Sequence, residues 1–290
     1  MIIVKLMGGL GNQMFQYALG RHLASLNNTT LKIDISAYNT DQRKGELRDF
    51  ELNQFHIQAD VCSHQDIRQY TGHPILRKLN QLIHRFGINL FPNHVHEKQF
   101  HFDKSILELK NKVYLEGYWQ SAKYLNSIDS IIRKDFTFKN DVLAVNKALK
   151  EKIDTTKSVA IHIRRGDYVN NPLHNVFDMG YIEKAVQFML DTVEKDIAFF
   201  IFSDDLDWCK NNLFTQDKNI TRYYCDGGSS IEDFQLMSSC KHFITANSTF
   251  SWWAAYLSHN TQKIVITPQK WFNNSEVNTD DIVPDNWIKI

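Results

Sequence analysis

The sequence predicts an α/β protein built on doubly wound, parallel sheets. Three observations predict it. From about residue 156 apolar strand patterns alternate with helical ones. Residues 197–202 (IAFFIF) are apolar without a break, as in a strand covered on both faces. The chain also opens as strand, glycine turn, helix, strand.

The elements follow in order. Residues 1–7 (MIIVKLM) read as a strand, which Gly8, Gly9 and Gly11 stop. Met14, Phe15, Ala18, Leu19, Leu23 and Leu26 then recur at helical spacing. Residues 30–35 (TLKIDI) alternate like a second strand. Residues 36–112 give no clean series. They hold His64, His73, His84, His94, His96 and His101, whose irregular spacings read as surface histidines. Residues 113–119 form a strand, and 120–134 carry helical spacing at Tyr124, Leu125, Ile128, Ile131 and Ile132. Strands are then expected at 158–164, 197–202, 220–224, 242–246 and 263–267, with helices at 179–193, 206–213, 230–240 and 249–258. Trp252 and Trp253 stand beside Ala254, Ala255 and Leu257 and read as core.

Composition limits the function. Lys and Arg number 33 against 33 Asp and Glu, so no basic excess points to nucleic acid. With 43% apolar residues the chain is no disordered solubiliser. A length of 290 residues predicts two domains, placed at 1–155 and 156–290. Cys62, Cys209, Cys225 and Cys240 form no CxxC pair, so no structural zinc is expected and a reducing compartment is. The first residues lack a basic region and a long apolar run, and no stretch reaches about 20 apolar residues. A soluble, cytoplasmic protein is expected.

In a parallel α/β sheet, ligands bind outside the carboxyl ends of the strands. There the sequence places His162, Arg164, Arg165 and Asp167, then Asp204 and Asp205, then Asn247, Ser248, Thr249 and Phe250 directly before a helix. A helix start with hydroxyl donors, near two forked guanidinium groups, suits a diphosphate. Asp204 and Asp205 would accept from sugar hydroxyls or base N–H groups. Each piece also has a plain structural reading, as a helix cap or a solvated ion pair. Neither Asp204–Asp205 nor Asp280–Asp281 has further ligands at metal spacing. Gly9-x-Gly11-x-x-Met14, with Asp34 on the next strand, approaches a dinucleotide fingerprint. Met14 stands where that motif needs its third glycine. A close backbone approach at Gly9 and Gly11, with Asn12 and Gln13 offering amide contacts, remains a cleft feature.

HxRRxD at 162–167, FSDD at 202–205, NSTFSWWAAYL at 247–257 and GGLGNQMFQYALGRHLA at 8–24 together resemble the α-1,2-fucosyltransferases of glycosyltransferase family 11, and GYWQSAKYL at 117–125 is similar to their inter-domain segment. The resemblance implies a GT-B-like architecture, two Rossmann-like domains facing a cleft, with donor bound by 156–290 and acceptor on the side of 1–155. It implies GDP-fucose as donor, no metal or cofactor, and inversion from the β-linked donor to an α-1,2 fucoside on a terminal β-galactoside. By the same resemblance, Arg164 and Arg165 hold the leaving diphosphate and Asp167 orients them. His162 and Asp205, or Asp204, meet guanine or ribose. Ser248, Thr249 and Phe250 contact phosphate, and Asn12 reaches the cleft beside the donor.

The acceptor proton calls for a base, for which Glu116, Asp34 and Asp167 are candidates and none is assigned. Partners implied are a galactose-containing oligosaccharide or a lipid-linked glycan, with transient attachment to the inner membrane face. Over 60–112, eight Lys and Arg face five Asp and Glu, which would assist at an anionic surface. Other readings are a transferase of the same fold with another linkage or donor, a non-catalytic glycan- or nucleotide-binding module, and a NAD-dependent oxidoreductase.

Overall fold

The computed structural model describes residues 1–290 except 39–47, 74, 77–79, 81, 83–89, 141–145, 194–195 and 215–218. His84 lies outside the described residues, as does part of the 36–112 region. Among the described residues the chain forms two compact units. One comprises Met1–Thr137 and Asn278–Ile282, the other Phe138–Val277 and Val283–Ile290. The expected boundary near 155 therefore moves to the 137–138 junction. The reason is the helix Lys147–Thr155, which buries Ile153 in the second unit. Just before it, the Asn146 amide donates to the Gly227 carbonyl at 3.1 Å, and Lys152 lies 4.5 Å from the Tyr223 ring.

In the first unit, β1 (Ile2–Lys5) runs into α1 (Leu10–Leu26) and β2 (Leu31–Asp34). There follow β3 (Asp60–Val61), α2 (His64–Thr71), β4 (His94–His96), α3 (Lys104–Leu107), β5 (Val113–Glu116) and α4 (Asp129–Asp135). The five strands stand in the order β3-β2-β1-β5-β4, all parallel. A Cβ on Gly20 would meet Leu31 at 2.8 Å and Val4 at 3.1 Å. That close approach of α1 to β1 and β2 is what a dinucleotide motif obtains from its third glycine, so Met14 is free to be core.

The second unit opens with α5 (Lys147–Thr155) and β6 (Lys157–Ile163). Next come α6 (Met179–Thr192), β7 (Ile197–Ser203), α7 (Leu206–Asn212), β8 (Arg222–Cys225), α8 (Ser230–Ser238), β9 (His242–Ile244), α9 (Thr249–Leu257), β10 (Val265–Thr267) and β11 (Ile288–Lys289). The order is β11-β10-β9-β6-β7-β8, all parallel. Numbered within the unit this is the Rossmann order 3-2-1-4-5-6. The predicted strands and helices after residue 156 are all present, and β11 adds a sixth strand.

The core of this unit follows the pattern. Val159, Ile161 and Ile163 of β6 and Phe199 and Ile201 of β7 pack on Ile182, Ala185, Val186 and Met189 of α6. Trp252 and Trp253 are wholly buried. All four cysteines are free thiols. Among the described residues no helix is long and apolar enough to cross a membrane.

Candidate active site

In the order 3-2-1-4-5-6 the chain reverses its winding between strands 1 and 4, and ligands bind in the crevice that opens there. In the second unit those strands are β6 and β9. β6 ends at Ile163, directly before Arg164 and Arg165, and β9 ends at Ile244, just before Asn247 and Ser248. The two richest sequence motifs therefore flank one crevice.

Carboxylates fix the arginine pair. Arg164 Nη2 pairs with Asp167, and its Nη1 lies 2.9 Å from Asp204 Oδ2. Arg165 Nε donates to Asp205 at 3.1 Å, and its backbone N–H donates to Asp204 Oδ1 at 2.8 Å. The Arg165 guanidinium lies 4.0 Å from the Trp208 ring centroid. A Cβ on Gly166 would come within 2.6 Å of Asp204 Oδ2, so glycine is what lets that carboxylate approach. Burial pulls the Arg164 pKa down, and Asp204 and Asp167 more than offset it, for a net rise. The rim thus sets two guanidinium groups among three carboxylates. Asp204 and Asp205 both turn to the arginines, so their first task is positioning.

Across the crevice Ser248 caps α9, its Oγ accepting from the Phe250 N–H at 3.4 Å. The helix presents the positive end of its dipole there, at Thr249 and Phe250. Asn247, expected on the donor side, is engaged by the protein itself. Its amide donates to the carbonyls of His174 and Trp271, each at 3.0 Å, which uses both N–H hydrogens to hold those loops. The Phe250 ring sits 5.7 Å from the His162 ring. His162 is buried, and its Nδ1 has no hydrogen-bond partner among the described residues.

Burial, then Arg164, lower the His162 pKa to about 3 from 6.5. The folded protein refuses a proton that the unfolded chain takes below its own pKa. Stability from this group is full above the unfolded value and is lost as pH falls toward the folded one. His22, His174 and His242 are lowered as well, first by burial, and act in the same direction. We expect the stability from urea unfolding to fall between about pH 7 and pH 5, with His162 contributing up to about 1.4 kcal/mol per pH unit. His162→Gln should flatten that fall.

In the first unit the corresponding crevice lies between β1 and β5. Gly8 holds φ +79°, and a Cβ there would stand 2.5 Å from Asn12 Nδ2. Gln120 Nε2 donates to Asn12 Oδ1 at 2.8 Å, and Gln16 Nε2 donates to the Gly117 carbonyl at 3.2 Å, tying the ends of the two strands together. Gly8→Ala should therefore cost roughly 1–2 kcal/mol and displace Asn12, as thermal melts will check. Gly9 is the N-cap residue of α1, with Arg48 alongside, and Gly11 is buried in its first turn.

Gln13, expected to offer an amide contact in the cleft, turns inward instead. It is wholly buried, donates to the Gly8 and Asp49 carbonyls at 3.1 and 2.8 Å, and accepts from the Glu51 N–H at 3.0 Å. Its amide braces the turn from beneath. Asp34 is also closed off. It accepts from Tyr114 Oη at 2.6 Å and from the Ser36 N–H at 2.8 Å, which removes it both as a ribose contact and as a base. Glu116 is held down to about 2, first by His94 and also by Lys5 against the effect of burial, so it is a poor base.

Sequence reasoning missed Glu97. It accepts from the N–H groups of Tyr118 and Trp119 at 2.7 and 2.8 Å, and burial raises its pKa. Trp119 beside it adopts φ +57°. A half-buried carboxyl, raised by desolvation and holding a strained turn, is a functional signal. Nothing in its sequence neighbourhood carried that. Within the histidine-rich segment, His94 and His96 come together with Glu116, one ligand atom from each lying within 4.8 Å of the others.

Two parallel α/β units, one with an arginine pair and a capped helix start at its switch point, define a GT-B-like glycosyltransferase. The chain belongs to glycosyl transferase family 11, whose profile matches residues 79–290. It is 33% identical over 298 residues to an Escherichia coli alpha-1,2-colitosyltransferase, covering 100% of this chain and 98% of that protein. It is 35% identical to the O-antigen biosynthesis glycosyltransferase WbnK of Escherichia coli, covering 98% and 99%. Over 49% of this chain and 43% of the relative, it is 31% identical to the rat galactoside alpha-(1,2)-fucosyltransferase 2. Among solved structures, Arabidopsis thaliana FUT1 in complex with GDP matches with a TM-score of 0.56 at 13% identity, covering 98% of this chain and 74% of that one. The NodZ alpha-1,6-fucosyltransferase matches at 0.51 and 15%, covering 88% and 91%. At such identities these likenesses speak to the fold.

Proposed function

We propose that this protein transfers L-fucose from GDP-β-L-fucose to the 2-hydroxyl of a terminal β-galactoside, with inversion, to give an α-1,2 fucoside. The observation that carries the reading is the Arg164–Arg165 pair, held by Asp167, Asp204 and Asp205 at the switch point of the second unit. Support for the linkage comes from relatives whose names specify α-1,2 transfer.

The chemistry follows from the rim. As the fucose C1–O bond breaks, charge grows on the diphosphate oxygens. Groups already fixed where that charge appears lower the barrier without reorganising. A guanidinium carries five N–H donors in a fixed fork, which suits Arg164 to hold diphosphate oxygens from the rim. The start of α9, with Ser248, Thr249 and Phe250, adds its dipole on the other side of the crevice. Neutral His162, with its unmatched Nδ1, stands beside Phe250 and would meet the nucleoside. On this reading a metal ion has no task in the transfer. The first unit offers the acceptor surface, with Asn12 at the turn formed by Gly9 and Gly11.

A second donor is favoured by one observation, the colitosyltransferase relative. Colitose is fucose without its 3-hydroxyl, so the same diphosphate clamp serves both. The O-antigen relative favours a surface-glycan acceptor; were it carried on a lipid, the protein would work at the inner membrane face. The test offers GDP-fucose and its 3-deoxy analogue, in EDTA, with lactose and other β-galactosides. GDP release and product linkage are then measured. An α-1,2 fucosyl product is expected. No GDP above background with any galactoside, or transfer from the 3-deoxy donor alone, contradicts the fucosyl reading.

A further inference from the structure

The imidazoles of His94 and His96 and the carboxylate of Glu116 gather at the carboxyl end of the first sheet, and the transfer described above uses none of them. His94 and His96 are two residues apart on β4, so strand alternation puts both on one face. The parallel register sets His96 opposite Glu116 of β5, which brings the carboxylate to that same face. The two imidazole rings lie 4.0 Å apart. His94 Nε2 stands 2.8 Å, and His96 Nδ1 3.9 Å, from Glu116 Oε2. One ligand atom from each of the three residues lies within 4.8 Å of the others. Around an ion with bonds of about 2.0–2.1 Å, tetrahedral geometry separates ligand atoms by about 3.4 Å. The spacing here brackets that value, so closure requires only small side-chain rotations.

The donor set names the class of ion. Two imidazole nitrogens and one carboxylate oxygen suit zinc and its first-row neighbours, whereas calcium and magnesium take oxygen ligands. Lys5 engages the other oxygen of Glu116, Oε1, which leaves Oε2 toward the imidazoles. Tyr114 meets the His94 ring edge-on at 4.9 Å and steadies it. The His96 side chain is 61% exposed, so an ion can enter from solvent and keep a water as fourth ligand.

We propose that His94, His96 and Glu116 bind one divalent ion of the zinc class, which clasps the three-residue edge strand β4 to β5. The clasp would brace the chain just beyond both strands, where Glu97 holds the turn at Tyr118 and Trp119. This inference is independent of the transferase reading, and its test does not involve turnover.

The full chain is stripped with EDTA, freed of chelator and titrated with Co²⁺, whose visible absorption reports tetrahedral nitrogen and oxygen ligands. Zn²⁺ is then added while thermal unfolding is followed. One equivalent of Co²⁺ absorption and an upward shift in melting temperature with Zn²⁺ are expected. His96→Ala, at an exposed position, should weaken binding about tenfold or more, and Glu116→Gln should do the same. Circular dichroism of the metal-free variants verifies that they are folded. A Cys62→Ser variant should bind as the parent does. Absorption that is absent in the parent, or that persists unchanged in a folded His94→Ala/His96→Ala variant, overturns the proposal.

Discussion

Arg164→Ala is expected to lower kcat by about 10²–10³ while leaving the fold intact. The guanidinium spans two carboxylates in the structure, at Asp167 and Asp204, and its side chain is 18% exposed. Its removal takes a permanently charged fork from the place where the diphosphate gains charge. Both carboxylates lie at the rim within reach of water, and Asp204 keeps the backbone N–H of Arg165. Partly exposed ion pairs of this kind contribute about 1 kcal/mol or less, so the melting temperature should fall by only a few degrees. Arg164→Lys should recover little, because an ammonium cannot reproduce the two-pronged geometry. Steady-state kinetics beside a calorimetric melt separate the two effects. A variant that fails to fold, or one that turns over normally, removes Arg164 from the mechanism.

Trp252→Ala should produce the largest loss of stability, about 3–5 kcal/mol. Trp252 is wholly buried, stacked on Tyr256 at 5.0 Å and packed against Trp287 at 5.4 Å and Trp253 at 5.0 Å. Deleting the indole opens a cavity that three other aromatic rings border. A loss of that size is a large part of the stability of an ordinary domain. The same side chain anchors α9, which begins at Thr249, so donor affinity should weaken with it. Denaturant midpoints and GDP titration at low temperature measure both. Near-parental stability with impaired acceptor binding would make Trp252 a sugar platform instead of core.

The second unit was legible because its strands are covered on both faces. Strands β6 and β7 are nearly unbroken apolar runs, and those runs end in charge where the sheet meets solvent. β11 escaped notice because two residues carry no period. The first unit hid more for the same reason, since β3 and β4 span two and three residues. A capping box at Ser63 and Asp66 was available to mark α2. The helix expected over 120–134 begins only at Asp129. Before it, Ala122 donates its N–H to the Asp281 carbonyl at 3.0 Å, and a short 3₁₀ turn follows. A partner so distant in sequence outweighs local spacing. The same holds for the sites. The arginines and the α9 cap could be placed by one rule about strand ends, whereas Gln13, Glu97 and the His94–His96–Glu116 group depend on partners that only the fold brings near.

The central claim is that the donor diphosphate sits at the crevice between β6 and β9. A crystal structure of the protein grown with GDP in EDTA tests it most directly. The account predicts diphosphate oxygens at about 2.8 Å from the Arg164 guanidinium, facing the first turn of α9. Diphosphate density at the glycine turn of the first unit, over Gly8–Gly11, would contradict it.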